Sequence, residues 1–192
     1  QRFQYGPSCY YVLGEIMKRK LKYKDENPLD YLKRRIFKPI GMEIADWKHD
    51  LSGNPHIPNG AHLAAREWIK YGQFIVEGGK SNGKQVVKKE LIEECFKPAD
   101  ANKGHGLAFW LNIPGGHGPS HLPMESNPED KGGFIYPEGC PDLIGALGAG
   151  KNRMYMIPSI KMVVVRQAEG DRLGYRDSEF LRILLNGIRK SP

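Results

Sequence analysis

Helix-period patterns and strand-type runs are segregated along this chain, and that segregation limits its architecture more than any other feature. Val12, Leu13, Ile16 and Met17 fall on one face of a helix expected from about Tyr10 to Leu21. Asn27 followed by Pro28 reads as an N-cap and first-turn proline, and Leu29, Leu32 and Ile36 mark the buried stripe of a second helix that Pro39 ends. The stretch from Gly41 to Gly60 is irregular, with Trp47 as its expected anchor. A third helix covers about Leu63 to Val76 and stops at Gly78-Gly79. Ser81-Asn82-Gly83 is a turn, and Lys89 to Phe96 reads as a short helix with Leu91, Ile92 and Cys95 inward. Strands are expected only after that: Leu107 to Leu111, then Arg153 to Ile157 and Lys161 to Gln167, the last two joined at Pro158-Ser159. Ser178 to Arg189 is a closing amphipathic helix. Helices, then antiparallel strands, then a helix indicate an α+β domain, an antiparallel sheet with flanking helices, in one unit over residues 1–192. A doubly wound parallel sheet does not fit this order.

A chain of 192 residues, 40% hydrophobic and 27% charged, is large enough to bury a core without disulfides or a structural metal. Its three cysteines, Cys9, Cys95 and Cys140, contain no CxxC pair and are read as small buried thiols. No run approaches the ~18 apolar residues of a membrane span, and no charged n-region precedes an apolar h-region. The chain opens at Gln1 inside what reads as an ordered segment, so a processed product or a portion of a longer polypeptide is expected. The net charge of +7 is concentrated in residues 1–40, where ten basic residues face four acidic ones. They fall at the end of the first helix, in the turn after it and on the outer face of the next, without any zinc-finger, helix-turn-helix or RNP-like pattern. A solvated surface accounts for them, and nucleic acid is not an expected partner.

Three motifs suggest chemistry that their context withholds. Gly145-Ala-Leu-Gly-Ala-Gly150-Lys151-Asn152 approaches a phosphate-binding loop, but Asn152 stands where a Mg²⁺-holding hydroxyl belongs and a strand follows instead of a helix. His105, His117, His121 and Cys140 could be read as a zinc set, yet the Gly- and Pro-rich setting of His117 and His121 is not helical and no HExxH is completed. Ser81-Asn-Gly-Lys84 is the one Ser-x-x-Lys in the chain, and it sits in a reverse turn that cannot stack an amine over a hydroxyl as a helix start would. Neither a metal nor a cofactor is expected.

The ordered set Phe3-Gln-Tyr5-Gly-Pro7, Tyr10-Tyr-Val-Leu-Gly14 and Tyr31-Leu-Lys-Arg-Arg-Ile-Phe-Lys-Pro-Ile-Gly-Met42 resembles the serine β-lactamase-like hydrolases: penicillin-binding proteins, class C β-lactamases and related esterases and amide hydrolases. The likeness continues through Asp50 to Pro55, Ala65-Arg-Glu-Trp68, Tyr71-Gly-Gln-Phe74, Gly106 to Trp110, Gly145 to Gly150, Tyr155 to Pro158 and Val163 to Gln167, in the order of that family's C-terminal two thirds. It implies an incomplete β-lactamase/transpeptidase-like fold. By this resemblance Tyr5 matches the second-motif tyrosine that relays the nucleophile's proton. A phenol does so only if cations lower its pKa from about 10. Ala146, Leu147 and Gly148 match the third motif on the strand edge lining the acyl pocket, with the Ala149 N–H as an oxyanion donor.

The family's Ser-x-x-Lys lies upstream of the tyrosine motif, so the resemblance implies that an N-terminal segment of the same protein, or a separate chain, supplies Ser and Lys. Pro7 replaces the usual amide of the second motif, and Ala146 and Leu147 replace the usual basic and hydroxyl residues of the third. These changes remove the polar grip on a β-lactam carboxylate and favour a small-molecule ester or amide, cleaved through an acyl-enzyme. The Gly/Pro/His-rich stretch before Pro141 would wall the pocket. The family's setting is the bacterial envelope or secreted. Two other readings are a non-catalytic binding module that retains fold and pocket, and a basic polyanion-binding domain.

Overall fold

The computed structural model describes residues 3–116, 135–169 and 174–189. His117, His121 and most of the stretch before Pro141 lie outside these residues, and with them the expected pocket wall and half of the zinc reading.

Among the described residues the α-helices and strands follow in the order α1 (Ser8–Leu21), α2 (Pro28–Leu32), β1 (Asp46–Trp47), β2 (Ala61–His62), α3 (Ala65–Val76), β3 (Lys80–Ser81), β4 (Lys84–Gln85), α4 (Lys89–Glu94), β5 (Trp110–Leu111), β6 (Ile144–Leu147), β7 (Arg153–Ile157), β8 (Met162–Arg166) and α5 (Asp177–Arg189). The start of α2 is the one expected: the Asn27 side chain accepts the Asp30 N–H at 2.9 Å and Pro28 takes the first turn. The helix then widens into a π-turn over Lys33–Phe37. Gly79, at φ 81°, ends α3 with its N–H on Phe74 O at 2.9 Å, and a Cβ there would lie 2.3 Å from Val87 O. Strand pairing begins earlier than the sequence pattern suggested. β1, inside the irregular stretch, pairs with β2 just after it, and Asn82 and Gly83, both at positive φ, turn β3 into β4. Leu107 is exposed and only Trp110 and Leu111 of its run are paired.

The main sheet is antiparallel in the order β5-β6-β7-β8, with registers such as Trp110↔Gly145, Tyr155↔Val164 and Met154↔Ala146. Alternation sends Leu111, Ile144, Met154, Met156, Val163 and Val165 to one face, against Phe74, Ile75, Ile92 and Phe109. Trp110, Leu147, Tyr155, Ile157 and Val164 go to the other, against Ile135, Leu143, Leu181 and Leu185. All five residues of β7 are buried, because helices cover both of its faces. The α+β architecture with an antiparallel sheet and flanking helices is therefore the one read from the sequence.

Two contacts hold the layers. Gly72 of α3 lies so close to the sheet that a Cβ would meet Val163 Cγ1 at 2.5 Å and Met154 Sδ at 2.7 Å. On the opposite face the Arg153 guanidinium donates to Asp177 at the start of α5, Nε to Oδ1 at 2.7 Å, and to Gly148 O and Asn152 O at 2.7 and 3.0 Å. The Tyr155 hydroxyl donates to the same carboxylate oxygen at 2.5 Å and shares a 2.8 Å bond with Tyr175. Burial and the Asp177 charge push the Tyr155 phenol far above its usual range, so it stays a donor.

Sequence periodicity misplaces some side chains. Leu91 of α4 faces solvent although Ile92 is buried: the two stand about 100° apart on the helix, with half-buried Cys95 between them, and only the Ile92 side meets the core. Cys9 is exposed, and Cys95 and Cys140 are half-buried; all three are free thiols. The apolar face read for α1 is exposed at Val12, Leu13 and Ile16, and Leu21 is the helix's one buried residue.

Gly72→Ala is expected to destabilise the chain by about 1–3 kcal/mol through overpacking, read as a lower urea midpoint at unchanged m-value. Asp177→Ala, which strands a buried guanidinium, should cost about 3–5 kcal/mol.

Candidate functional site

The connection from β6 to β7 is a built turn. Leu147 ends the strand, Gly148 is extended, and Ala149–Lys151 form one 3-10 turn in which Gly150 takes φ 64°. The Gly148 N–H donates to Asn152 O at 2.8 Å, while the Asn152 side chain donates to Ala149 O at 2.9 Å and accepts the Ala168 N–H at 3.0 Å. With Arg153 on the Gly148 and Asn152 carbonyls and Arg166 donating to Lys151 O at 2.6 Å, the turn is tied to β7, β8 and α5. The glycines that resemble a phosphate loop thus serve a tight strand-to-strand turn.

This turn forms one wall of a groove of about 620 Å³, lined by Gly148, Ala149, Asn152, Gln167, Trp68 and the segment Ile57–Leu63. The Gln167 side chain donates to Leu63 O at 3.0 Å, closing one end. Of the four candidate residues on β6 and its turn, Gly148 and Ala149 line the groove. Ala146 packs against the core on the α3 side, and Leu147 is buried in the core on the α5 side. The pleat that orients Ala146 and Leu147 to opposite faces prevents both from facing one ligand.

Tyr5 is not among the groove's lining residues. It packs beside the cluster that contains Leu147, with its ring 5.1 Å from Trp110 and 5.8 Å from His105. Phe3 joins them, 5.1 Å from His105, and the His105 and Trp110 rings meet edge to face at 4.7 Å. Burial raises the Tyr5 phenol and the Cys9 thiol raises it further, while a hydrogen bond from Tyr10 opposes them. Tyr10 itself is pushed up to about 12, chiefly by burial.

Two polar side chains around this region were not singled out as site elements by sequence reasoning. Asn112 is buried just after β5 and fully used: Nδ2 donates to Tyr136 O at 2.8 Å and Cys140 O at 3.3 Å, and Oδ1 accepts the Tyr136 and Ile135 N–H groups at 2.9 and 3.1 Å. It pins the backbone of residues 135–140 beside the sheet. His105, weighed only as a zinc ligand, instead lies among aromatic rings with its Nε2 buried and unpartnered. Among the described residues no group of three His, Cys, Asp or Glu side chains could hold a metal ion, and no helix is long and apolar enough to cross a membrane.

No protein-family model matches the chain, and no curated protein matches it. Solved structures do. One described as a "putative 6-aminohexanoate-dimer hydrolase from Bacillus anthracis" aligns over 100% of this chain and 46% of its own, with a TM-score of 0.69 and 20% identity. A "putative beta-lactamase from Bacteroides dorei" aligns over 99% of this chain and 58% of its own, with a TM-score of 0.60 and 14% identity. The chain has a β-lactamase-like fold, and it spans about half the length of the solved structures it matches.

Burial holds the His105 imidazole below its ordinary pKa, with a backbone bond to Gly106 opposing. A lowered folded pKa means that the unfolded chain binds more protons, so this stability is complete above about 6.5 and is lost as pH falls toward the folded value. The midpoint temperature should therefore drop more between pH 7 and pH 5 for the native chain than for His105→Phe. Equal slopes for the two would remove His105 as a cause.

Proposed function

We propose that this chain is the C-terminal portion of a β-lactamase-like serine hydrolase that cleaves an ester or amide through an acyl-enzyme, with Ser and Lys supplied by a segment outside residues 1–192. The observation that carries the reading is the full-chain match of the fold to a solved hydrolase roughly twice its length. That neighbour's description, a hydrolase of an amino-acid dimer, favours the amide class.

In this reading the groove between the Gly148–Asn152 turn and the Ile57–Leu63 segment receives the substrate. The Ala149 N–H, at the groove-lining start of the turn, serves as the oxyanion donor in this reading. Ala146 and Leu147 would then act from behind the turn, by packing and by their place on β6, rather than by touching substrate. Tyr5 relays the proton between nucleophile and leaving group once a lysine ammonium offsets the burial that now raises its phenol. The incoming segment supplies both that lysine and the serine. On its own the chain does not turn over. No cofactor, metal or nucleic acid takes part. The family resemblance supports a bacterial envelope or secreted setting.

One observation favours a binding module instead: the β6–β7 wall of the groove consists of Gly148, Ala149 and Asn152, without the basic and hydroxyl residues of the family's third motif, and His62 on the opposite wall is the titratable side chain among the lining residues. The two readings separate on the native source polypeptide. If the hydrolase reading holds, a fluorophosphonate probe labels a serine in a Ser-x-x-Lys outside residues 1–192, and Tyr5→Phe lowers kcat for a p-nitrophenyl ester by about 10²-fold or more. A native polypeptide that stays unlabelled yet binds a small amide in the groove would establish the module.

A further inference from the structure

Helix α1 is apolar on a side that nothing in the described chain covers. Helical spacing places Cys9, Val12, Leu13 and Ile16 on one stripe, and Val12, Leu13 and Ile16 are 60%, 47% and 51% exposed. A different face is already used: Leu21 is buried, and Tyr10 and Met17 are half-buried. A third side rests on the loop after β1. There the Tyr11 hydroxyl lies 3.5 Å from His56 Nδ1, Lys18 Nζ donates to Asn54 at 2.7 Å, and a Cβ on Gly14 would stand 3.0 Å from Ile57 Cγ1. A single exposed leucine is ordinary on a protein surface, whereas a continuous row on a helix that is apolar on two faces marks an interior helix.

The occupant follows from length and charge. The matching solved structures are about twice as long as this chain, so each contains a comparable mass of polypeptide with no counterpart here. Lys20 continues the stripe one turn beyond Ile16, with Lys22 and Lys24 after it, so the covering element has apolar side chains over its first turns and an acidic one at the Lys20 end. Cys9, at the other end of the stripe, donates its thiol to the carbonyl of Gly6 at 3.4 Å, one residue from Tyr5. The stripe therefore runs up to the candidate relay tyrosine.

We propose that the Val12–Leu13–Ile16 stripe of α1 is the docking face for an amphipathic, acid-tipped helix from the part of the polypeptide that carries the nucleophile. Packed in the usual ridge-in-groove manner, that helix ends beside Tyr5. This rests on the hydrolase reading for the identity of its occupant, but its geometry is tested separately.

Cys9 is the reporter. Alkylation by a maleimide, followed at Cys9 by mass spectrometry, is expected to be rapid in the 192-residue chain and at least ~10-fold slower in the native source polypeptide, since a covered helix reacts only on local opening. Leu13→Asp with Ile16→Asp should restore rapid labelling in the native polypeptide and lower its midpoint temperature. In the 192-residue chain the same pair leaves the midpoint unchanged, because both side chains are exposed there. Equal Cys9 rates in the two proteins would overturn the proposal, as would protection in the 192-residue chain that grows with its own concentration, which identifies a second copy as the occupant. Fluorophosphonate labelling is scored in parallel. A labelled serine with unprotected Cys9 overturns the docking face alone, protected Cys9 without a labelled serine overturns the hydrolase alone, and a native species of only 192 residues overturns both.

Discussion

A buried guanidinium organises this chain. Arg153 lies in the central strand β7, and its donors reach the carboxylate that opens α5 and the carbonyls of Gly148 and Asn152. Removing such a group from water costs several kcal/mol unless every donor is matched, so the geometry around it has little freedom. The same Asp177 oxygen also accepts from Tyr155, which holds Tyr175, and Tyr175 in turn lies under Arg166 with the guanidinium carbon 4.0 Å from its ring centroid. One charge pair thus fixes three things together: where α5 begins, how it lies on the sheet, and the shape of the turn that borders the groove.

The groove and the Tyr5 cluster are products of that arrangement in different degrees. The turn residues reach the groove because hydrogen bonds from β7 and β8 shape the backbone after Leu147. Tyr5 is held by aromatic packing against Trp110 and His105, on the face of the sheet that α5 also covers. Just after Tyr5, α1 keeps an apolar stripe exposed at Val12, Leu13 and Ile16.

Much of this was legible in the residues themselves. The Asn27-Pro28 start, the Gly78-Gly79 stop and the Asn82-Gly83 turn are local decisions, made by a side-chain acceptor, a fixed proline φ and tolerance of positive φ, and each stands where the sequence puts it. The β7–β8 hairpin was readable from its two β-rich runs. β6 was not visible as a run of its own, since Ile-Gly-Ala-Leu is short, carries a glycine and depends on neighbours on both sides for pairing. His105 and Asn112 gave no usable signal for the same reason: a lone polar residue in an apolar stretch does not reveal what will surround it.

Composition and periodicity by themselves determined the class: helices ahead of the main antiparallel sheet and a closing amphipathic helix. These follow from φ/ψ preferences and the 3.6 and 2.0 periods, which each segment carries without reference to the rest. Tertiary structure alone decided which apolar stripes are covered, that Ala146 and Leu147 face opposite cores, and that Gly148 and Ala149 meet the Ile57–Leu63 segment across a groove. Those outcomes depend on contacts between residues far apart in the chain, where burial is shared among partners that no single segment specifies.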